Sequence, residues 1–431
     1  MMHTTTTFHS PSWFTRTLAL LLAIGCSSAL GDWPAFRGPT RDGITSADRL
    51  PTKWSPTENV AWRTELPGQG WSSPIVVNDR IYLTAAVPIE NGAGDVDGAK
   101  TGYTLELFIV AATSGELISR LELFQQPADA PRIHRKNSHA SPTVLHEDGR
   151  LYVHFGHQGT ACLSTSGEVI WSNDSLSYSP VHGNGGSPTI AGDLLIFSRD
   201  GGDIAEVTAL DKKTGEIVWQ TDRNVEVRRT FSFCTPYLGE IEGREQLILP
   251  GSNVVQSLDP TTGEELWRLR YEGYSVIPRP IYHAGLIFVC TGYDRPKLLA
   301  IDPTGTGDVT GTHLRWQSDD SISHTPSLIA TNNQIVAVSD KGVAICFDAS
   351  SGEELWKKRV GGNFSASPLL AGRMLYLPDE KGKCTIYELG SEPKQIAVND
   401  MEERTLASYA VLENDLLIRT DQALYRISDR H

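Results

Sequence analysis

Four tryptophans set the frame for this chain: Trp171, Trp219, Trp267 and Trp316 follow one another at intervals of 48, 48 and 49 residues. Around them recurs a Thr/Ser-Gly turn followed by an apolar strand. It reads TSGEVIW at Thr165–Trp171, KTGEIVW at Lys213–Trp219, TTGEELW at Thr261–Trp267 and SSGEELW at Ser350–Trp356. Looser copies begin at Thr113, Thr312 and Gly390. A self-similar period of roughly 40–50 residues signals a propeller or a solenoid.

A second recurring element precedes each turn: a small or polar residue beside proline, then two alternating strands around a tight turn. Copies start at Ser72, Ala140, Gly186, Cys234, Arg279, His324, Ala366 and Ala407, which makes eight. Asn-Asp, Asp-Gly and Ala-Gly at the turns, flanked by β-branched residues at period two, are hairpin chemistry. With the strand before the Thr/Ser-Gly turn and the Trp strand after it, each unit has four strands. One such sheet cannot bury both faces, so the units must pack face to face. The last unit ends three strands in, at Tyr425-Arg426-Ile427, while Asn59-Val60-Ala61-Trp62-Arg63 carries a Trp strand with no unit before it. Pairing the two ends completes a blade and removes an exposed edge. The expected fold is therefore all-β: an eight-bladed β-propeller over residues 59–428, closed by its N-terminal strand.

The stretch Ala209-Leu210-Asp211-Lys212-Lys213-Thr214-Gly215-Glu216-Ile217-Val218-Trp219 resembles the tryptophan-docking repeat of quinoprotein alcohol dehydrogenases. The same repeat builds the propeller lipoprotein of the outer-membrane β-barrel assembly machinery. The resemblance runs from about Asn59 to Ile427. In it Asp satisfies turn amides, Gly takes the φ > 0 position, and Trp packs on the neighbouring blade over a small residue. Cys162 and Cys346 stand where Ala209 and Ala300 hold that small position, so they read as core side chains. Residues 32–58, opening Asp32-Trp33-Pro34-Ala35-Phe36-Arg37-Gly38-Pro39, look like the leader of bacterial propellers of this type.

Residues 1–31 read as an export signal: Arg16, then an uncharged run Leu18–Leu30 too short to span a bilayer. Two cleavage readings stand open. Ala29-Leu30-Gly31 suits a general signal peptidase, whereas Ala23-Ile24-Gly25-Cys26 resembles a lipobox in which Cys26 would be acylated. The expected location is the bacterial periplasm or outer membrane, with membrane contact only through that anchor. The formal net charge of −14 makes nucleic acid an unexpected partner. The six cysteines are scattered, with no zinc spacing and no disulfide framework.

Resemblance to quinoproteins raises an enzymatic hypothesis, but fold does not give function. Quinone-dependent dehydrogenases use an adjacent cysteine pair against pyrroloquinoline quinone and a Glu, Asn and Asp set around calcium. This chain has no Cys-Cys pair and no C-x-x-C-H haem motif, and no hydrolase, zincin or P-loop pattern. The acidic loop Asn91–Gly98 lacks full calcium-ligand spacing. No quinone, metal or catalytic residue is expected, and a binding or scaffold role is preferred to a quinone-dependent oxidoreductase.

Unusual polar residues gather in two loop sets that share one rim. Links into the inner strands hold Arg132, His134, Lys136, Asn137, His139, His182, Asn184, Arg228, Arg229, Arg279, His324, Asn363 and Arg404. Loops between second and third strands hold His157, Arg199, Asp200, Asp203, Asp294 and Arg295. Their convergence would make a mouth for an anionic or polyhydroxylated ligand, or for an envelope protein's segment. The alternative is that they are Arg–Asp ties between blades around a watery channel. A monomer is expected.

Overall fold

In the computed structural model, which describes residues 1–3, 32–89, 102–129 and 133–429, the repeats form eight antiparallel sheets. The export signal, Cys26 and the acidic loop lie outside the described residues. Each blade runs outward from a short inner strand. In blade three these are Thr189–Ala191, Leu194–Asp200, Ala205–Asp211 and Ile217–Asp222. Only the 3₁₀ turn Gly156–Gln158 is helical among the described residues. The expected eight-bladed propeller is the observed fold.

Blade eight is assembled from both ends of the chain. Val60–Glu65 pairs antiparallel with Ala423–Ile427, with Thr64 opposite Leu424. Blades four and seven each carry a fifth, parallel strand. Gly307–Asp308 lies along the outer edge of blade four, opposite Trp267 and Arg268. Ile44–Thr45 lies along the inner edge of blade seven.

The docking repeat works between blades. Trp219 Nε1 donates to the Pro260 carbonyl of the next blade at 3.2 Å. Its ring leaves no room at Gly263, where an added Cβ would stand 2.6 Å from Trp219 Cε3 at a φ of +74°. Trp171 meets Gly215 and Lys212 O in the same way, as do Trp316 with Gly352 and Ala349 O, and Trp62 with Gly115 and Ala112 O. Asp211, Asp259 and Asp348 each accept two backbone N–H bonds that shape the turn. One detail differs from expectation. The small residue is not on the neighbouring blade: Cys162, Ala209, Ala300 and Cys346 lie opposite their own Trp across one sheet. Trp267 departs as well. The turn it would dock on is replaced by the segment carrying Gly307–Asp308, and its Nε1 donates to Gln246 at 2.9 Å within its own blade.

The leader is part of the fold. Trp33 exchanges two 2.9 Å backbone bonds with Val76 of blade one, and Pro34 O accepts from His146 N of blade two. Arg41 reaches Thr189 of blade three, Arg279 of blade five donates to Arg41 O, and Arg37 reaches Leu328 O of blade six. Gly43 O accepts from Leu370 N of blade seven. Residues 33–45 thus cross one end of the axial channel.

Trp219→Ala should cost about 3–5 kcal/mol, the range for a truncated core aromatic, read as a shifted denaturant midpoint. A chain lacking residues 1–66 loses both the closing strand and the floor, and is expected to lose its cooperative transition and to aggregate.

Candidate functional site

The leader makes the channel blind. What remains is a funnel of about 820 Å³, open at the rim opposite the leader. Phe36, turned up from the leader, lines it together with Phe233, Ile277 and Leu406. Hydroxyls on the blades' inner strands ring it at depth, and the link loops make its mouth.

The mouth has two unlike halves. An arc of rings runs from blade two to blade six: His134 to His182 at 5.6 Å, His182 to Phe231 at 5.3 Å, and Phe231 to Tyr274 at 5.6 Å. It continues from Tyr274 to Tyr293 at 5.7 Å and from Tyr293 to His324 at 5.2 Å. Most are edge-to-face contacts, the arrangement ring quadrupoles favour. The Arg229 guanidinium lies 4.5 Å over Tyr274 and donates to its hydroxyl. The other half is charged. The Lys136 ammonium reaches across to Glu380 at 2.7 Å and Asp340 at 3.6 Å. Arg404, stacked 5.2 Å over Trp71, donates to Arg135 O at 2.9 Å. At its other end the 133–137 segment is held by His182, whose carbonyl accepts from His134 N and Asn137 Nδ2. These residues form a strap, fastened to blade three on one side and to blades six, seven and eight on the other.

Of the residues singled out from the sequence, His134, Lys136, Asn137, His182, Arg229, His324 and Asn363 line the funnel. Arg404 touches it only through the strap, and Arg132 lies outside the described residues. The others are placed elsewhere. Asp200 is fully buried with Arg223 in a bidentate pair, both bonds 2.8 Å, and Arg223 also donates to Leu249 O of blade four. It is the blade tie named as the alternative. Burial pushes the Asp200 carboxyl up, against the pull of Arg223. Arg199 pairs with Glu206, and Asp203 accepts from Ser179 N. Asn184 bonds Phe155 O, His157 and Tyr178. His139 is buried against Tyr103. Arg279 turns away from the mouth onto the leader, and Arg228, Asp294 and Arg295 are exposed beyond the lining. Tyr274 and Tyr293, which the sequence places in the two rim loop sets, line the funnel as well; what the sequence reading missed is the floor. The leader's apolar residues, Trp33, Ala35 and Phe36 within four positions, were the available signal for the floor.

Electrostatically the mouth is mildly cationic. Arg135, Lys136, Arg229 and Lys341 face two carboxylates, Asp340 and Glu380. Burial holds the His134 and His324 imidazoles below their usual value, reinforced at His134 by His182 and neighbouring cations and opposed at His324 by Asp340, so neither adds charge at neutral pH.

The repeat, the ring closed by a shared blade and the axial cavity define a quinoprotein-like propeller. The chain belongs to the family described as Outer membrane protein assembly factor BamB, whose model matches residues 106–336 and again 251–392. It superposes on BamB from Moraxella catarrhalis with a TM-score of 0.56 at 17% identity, covering 85% of this chain and 97% of that one. A europium-containing methanol dehydrogenase gives a TM-score of 0.62 at 9% identity, covering 90% and 89%. The computationally designed Ika8 protein gives 0.54 at 12%, covering 83% and 100%. At these identities the likeness is one of fold. A polyvinylalcohol dehydrogenase from Pseudomonas sp is 25% identical over 175 residues, which is 40% of this chain and 22% of that relative's length.

The two funnel carboxylates, Asp340 and Glu380, are both paired with the Lys136 ammonium. The described cysteines are free and buried. No group of three or more His, Cys, Asp or Glu among the described residues is placed to hold a metal.

Two outcomes follow. Lys136→Ala should release the strap, seen as faster amide hydrogen exchange over residues 133–138 with little change in the global midpoint. Acid sensitivity should come from buried histidines. Desolvation lowers His154 to about 3 and His157 to about 4 in the folded state, against 6.5 unfolded. Their neutral forms support the fold above about pH 6.5. Below it the unfolded chain binds more protons, and stability falls by up to about 1.4 kcal/mol per pH unit per histidine. Urea titrations at pH 4–8 test this, and His154→Gln should flatten the slope.

Proposed function

We propose that this chain is an exported binding or scaffold propeller of the bacterial envelope. Its blind funnel receives an anionic or polyhydroxylated ligand, or a partner segment of that chemistry. The observation that carries the reading is the pairing of an aromatic arc with Arg229 at the mouth of the axial funnel. Rings offer flat faces to sugar or aromatic groups, and the guanidinium offers charge-assisted bonds to a carboxylate. Family membership supports an envelope setting. Among the described residues no helix is long and apolar enough to cross a membrane, so attachment rests on the export segment and Cys26. A monomer suffices, because the funnel is complete within one chain.

A quinone-dependent oxidoreductase is the second reading, favoured by the partial match to a polyvinylalcohol dehydrogenase. The funnel's cations, and the pairing of its two carboxylates with Lys136, weigh against it.

Fluorescent peptides of equal length, acidic or basic and each with one aromatic residue, would be titrated against the full chain. Acidic peptides should bind preferentially and lose affinity with salt. Arg229→Ala should weaken them about tenfold, while Arg228→Ala, beyond the lining, should not. Equal binding of both peptide classes, or equal losses in both variants, would refute the reading. Saturable sub-micromolar binding of pyrroloquinoline quinone with calcium, or dye-linked alcohol oxidation, would favour the oxidoreductase.

A further inference from the structure

The deep end of the funnel is built from the residues that open each inner strand, beside a proline in every blade but the eighth. Six hydroxyls stand there, and each accepts the backbone N–H at the equivalent position of the preceding blade. Ser73 N donates to Thr143, Thr143 N to Ser187 and Ser187 N to Thr235, at 3.0, 2.9 and 2.9 Å. Past blade five, Arg279 N donates to Ser327, Ser327 N to Ser367 and Ser367 N to Ser408, at 3.1, 3.1 and 2.9 Å. All six line the same cavity. In these bonds each hydroxyl is the acceptor, which leaves its own proton to donate. Among the described residues none of the six O–H groups has an acceptor. Ser73 completes the set differently: it lines the cavity, is 1% exposed, and its Oγ has no partner at all.

Guanidiniums back onto the same segments, Arg37 and Arg279 buried and Arg41 half-buried. Arg37 donates to Leu328 O, next to Ser327, and Arg41 to Thr189, two residues beyond Ser187. Arg279 takes the ring position of blade five and turns its side chain to Pro236 O and Arg41 O. Arg37 is 2% exposed, and its Nε and Nη1 are without partners. Burial, then the neighbouring Arg279, pushes Arg37 down to about 9, and burial, then Arg41, pushes Arg279 to about 10, with Asp42 the carboxylate that opposes both shifts. Unpaired hydroxyl protons thus face the cavity, and positive charge lies behind them on the same segments. Buried polar groups left in that state are costly.

We propose that the deep ring is an oxyanion site, which takes a carboxylate, sulfate or phosphate group on the propeller axis with Ser73 and its neighbouring hydroxyls as donors. It deepens the binding reading and rests on it for the ligand's entry through the rim. The ligand's anionic end would sit on the ring while its body lies against the aromatic arc.

Selenate is a heavy-atom probe for this site. Crystals of the full chain soaked in selenate should show an anomalous peak on the axis within hydrogen-bond reach of the hydroxyls. In solution, selenate, phosphate and acetate titrations should each raise the melting temperature saturably, and their order of affinity tells sulfate-like, phosphate-like and carboxylate chemistry apart. Ser73→Ala removes an Oγ that bonds nothing in the fold, so the variant should melt normally without anions. It should bind selenate about tenfold more weakly, the loss of one hydrogen bond to a charged group. Water alone on the axis, a peak elsewhere, occupancy in the crystal without saturable stabilisation in solution, or unchanged affinity in Ser73→Ala would each overturn the proposal. This holds even where acidic peptides bind at the rim, so the two readings fail separately.

Discussion

An indole lying against a glycine of the next blade leaves no space for a Cβ, and it brings Nε1 onto a carbonyl of the turn that this glycine shapes. Trp219 over Gly263 and Trp171 over Gly215 join sheets that share few backbone bonds. The contact is both apolar and directional, which sets the pitch from blade to blade as well as the stability of each junction. Everything nearer the axis inherits that pitch. Hydroxyl-to-amide bonds between inner strands form only if neighbouring blades are held at one height and one angle.

The leader changes what the ring can do. A propeller open at both ends is a water-filled tube, whereas a tube stopped by residues 33–45 is a vessel with an inside. The stopper is itself cationic, through the buried Arg37 and the half-buried Arg41, and it stops the channel of a chain whose overall charge is negative. A local field of opposite sign at the bottom of a concave, low-dielectric site reaches further than the same charges on a convex surface.

The fold was legible in the sequence because its determinants are periodic. Trp, Gly and the proline-flanked hairpins recur in register, and the incomplete unit at one end matched the orphan strand at the other. The site was legible only in part, because being on a rim loop does not fix which way a side chain turns. Asp200, at the end of a second strand, and Arg229, in a link into an inner strand, were both placed on the rim. One found Arg223 across the blade and became a buried tie, while the other found Tyr274 and stayed at the mouth. Such choices depend on partners distant in sequence. The floor was hidden for a related reason: a leader without a repeat carries no period, and its partners lie on six different blades.

Closure by the N-terminal strand also has a temporal side. Val60–Glu65 must wait for Ala423–Ile427, more than three hundred and fifty residues later, and Gly43 must wait for Leu370. During synthesis the first strand made is therefore among the last to be placed. Until then blades one to seven form an open arc, with a bare outer edge and an unstopped channel. Contacts of such long sequence separation fold slowly and leave unpaired edges at risk of association. The chain's two ends act as a clasp, and the protein is exposed for as long as the clasp is undone.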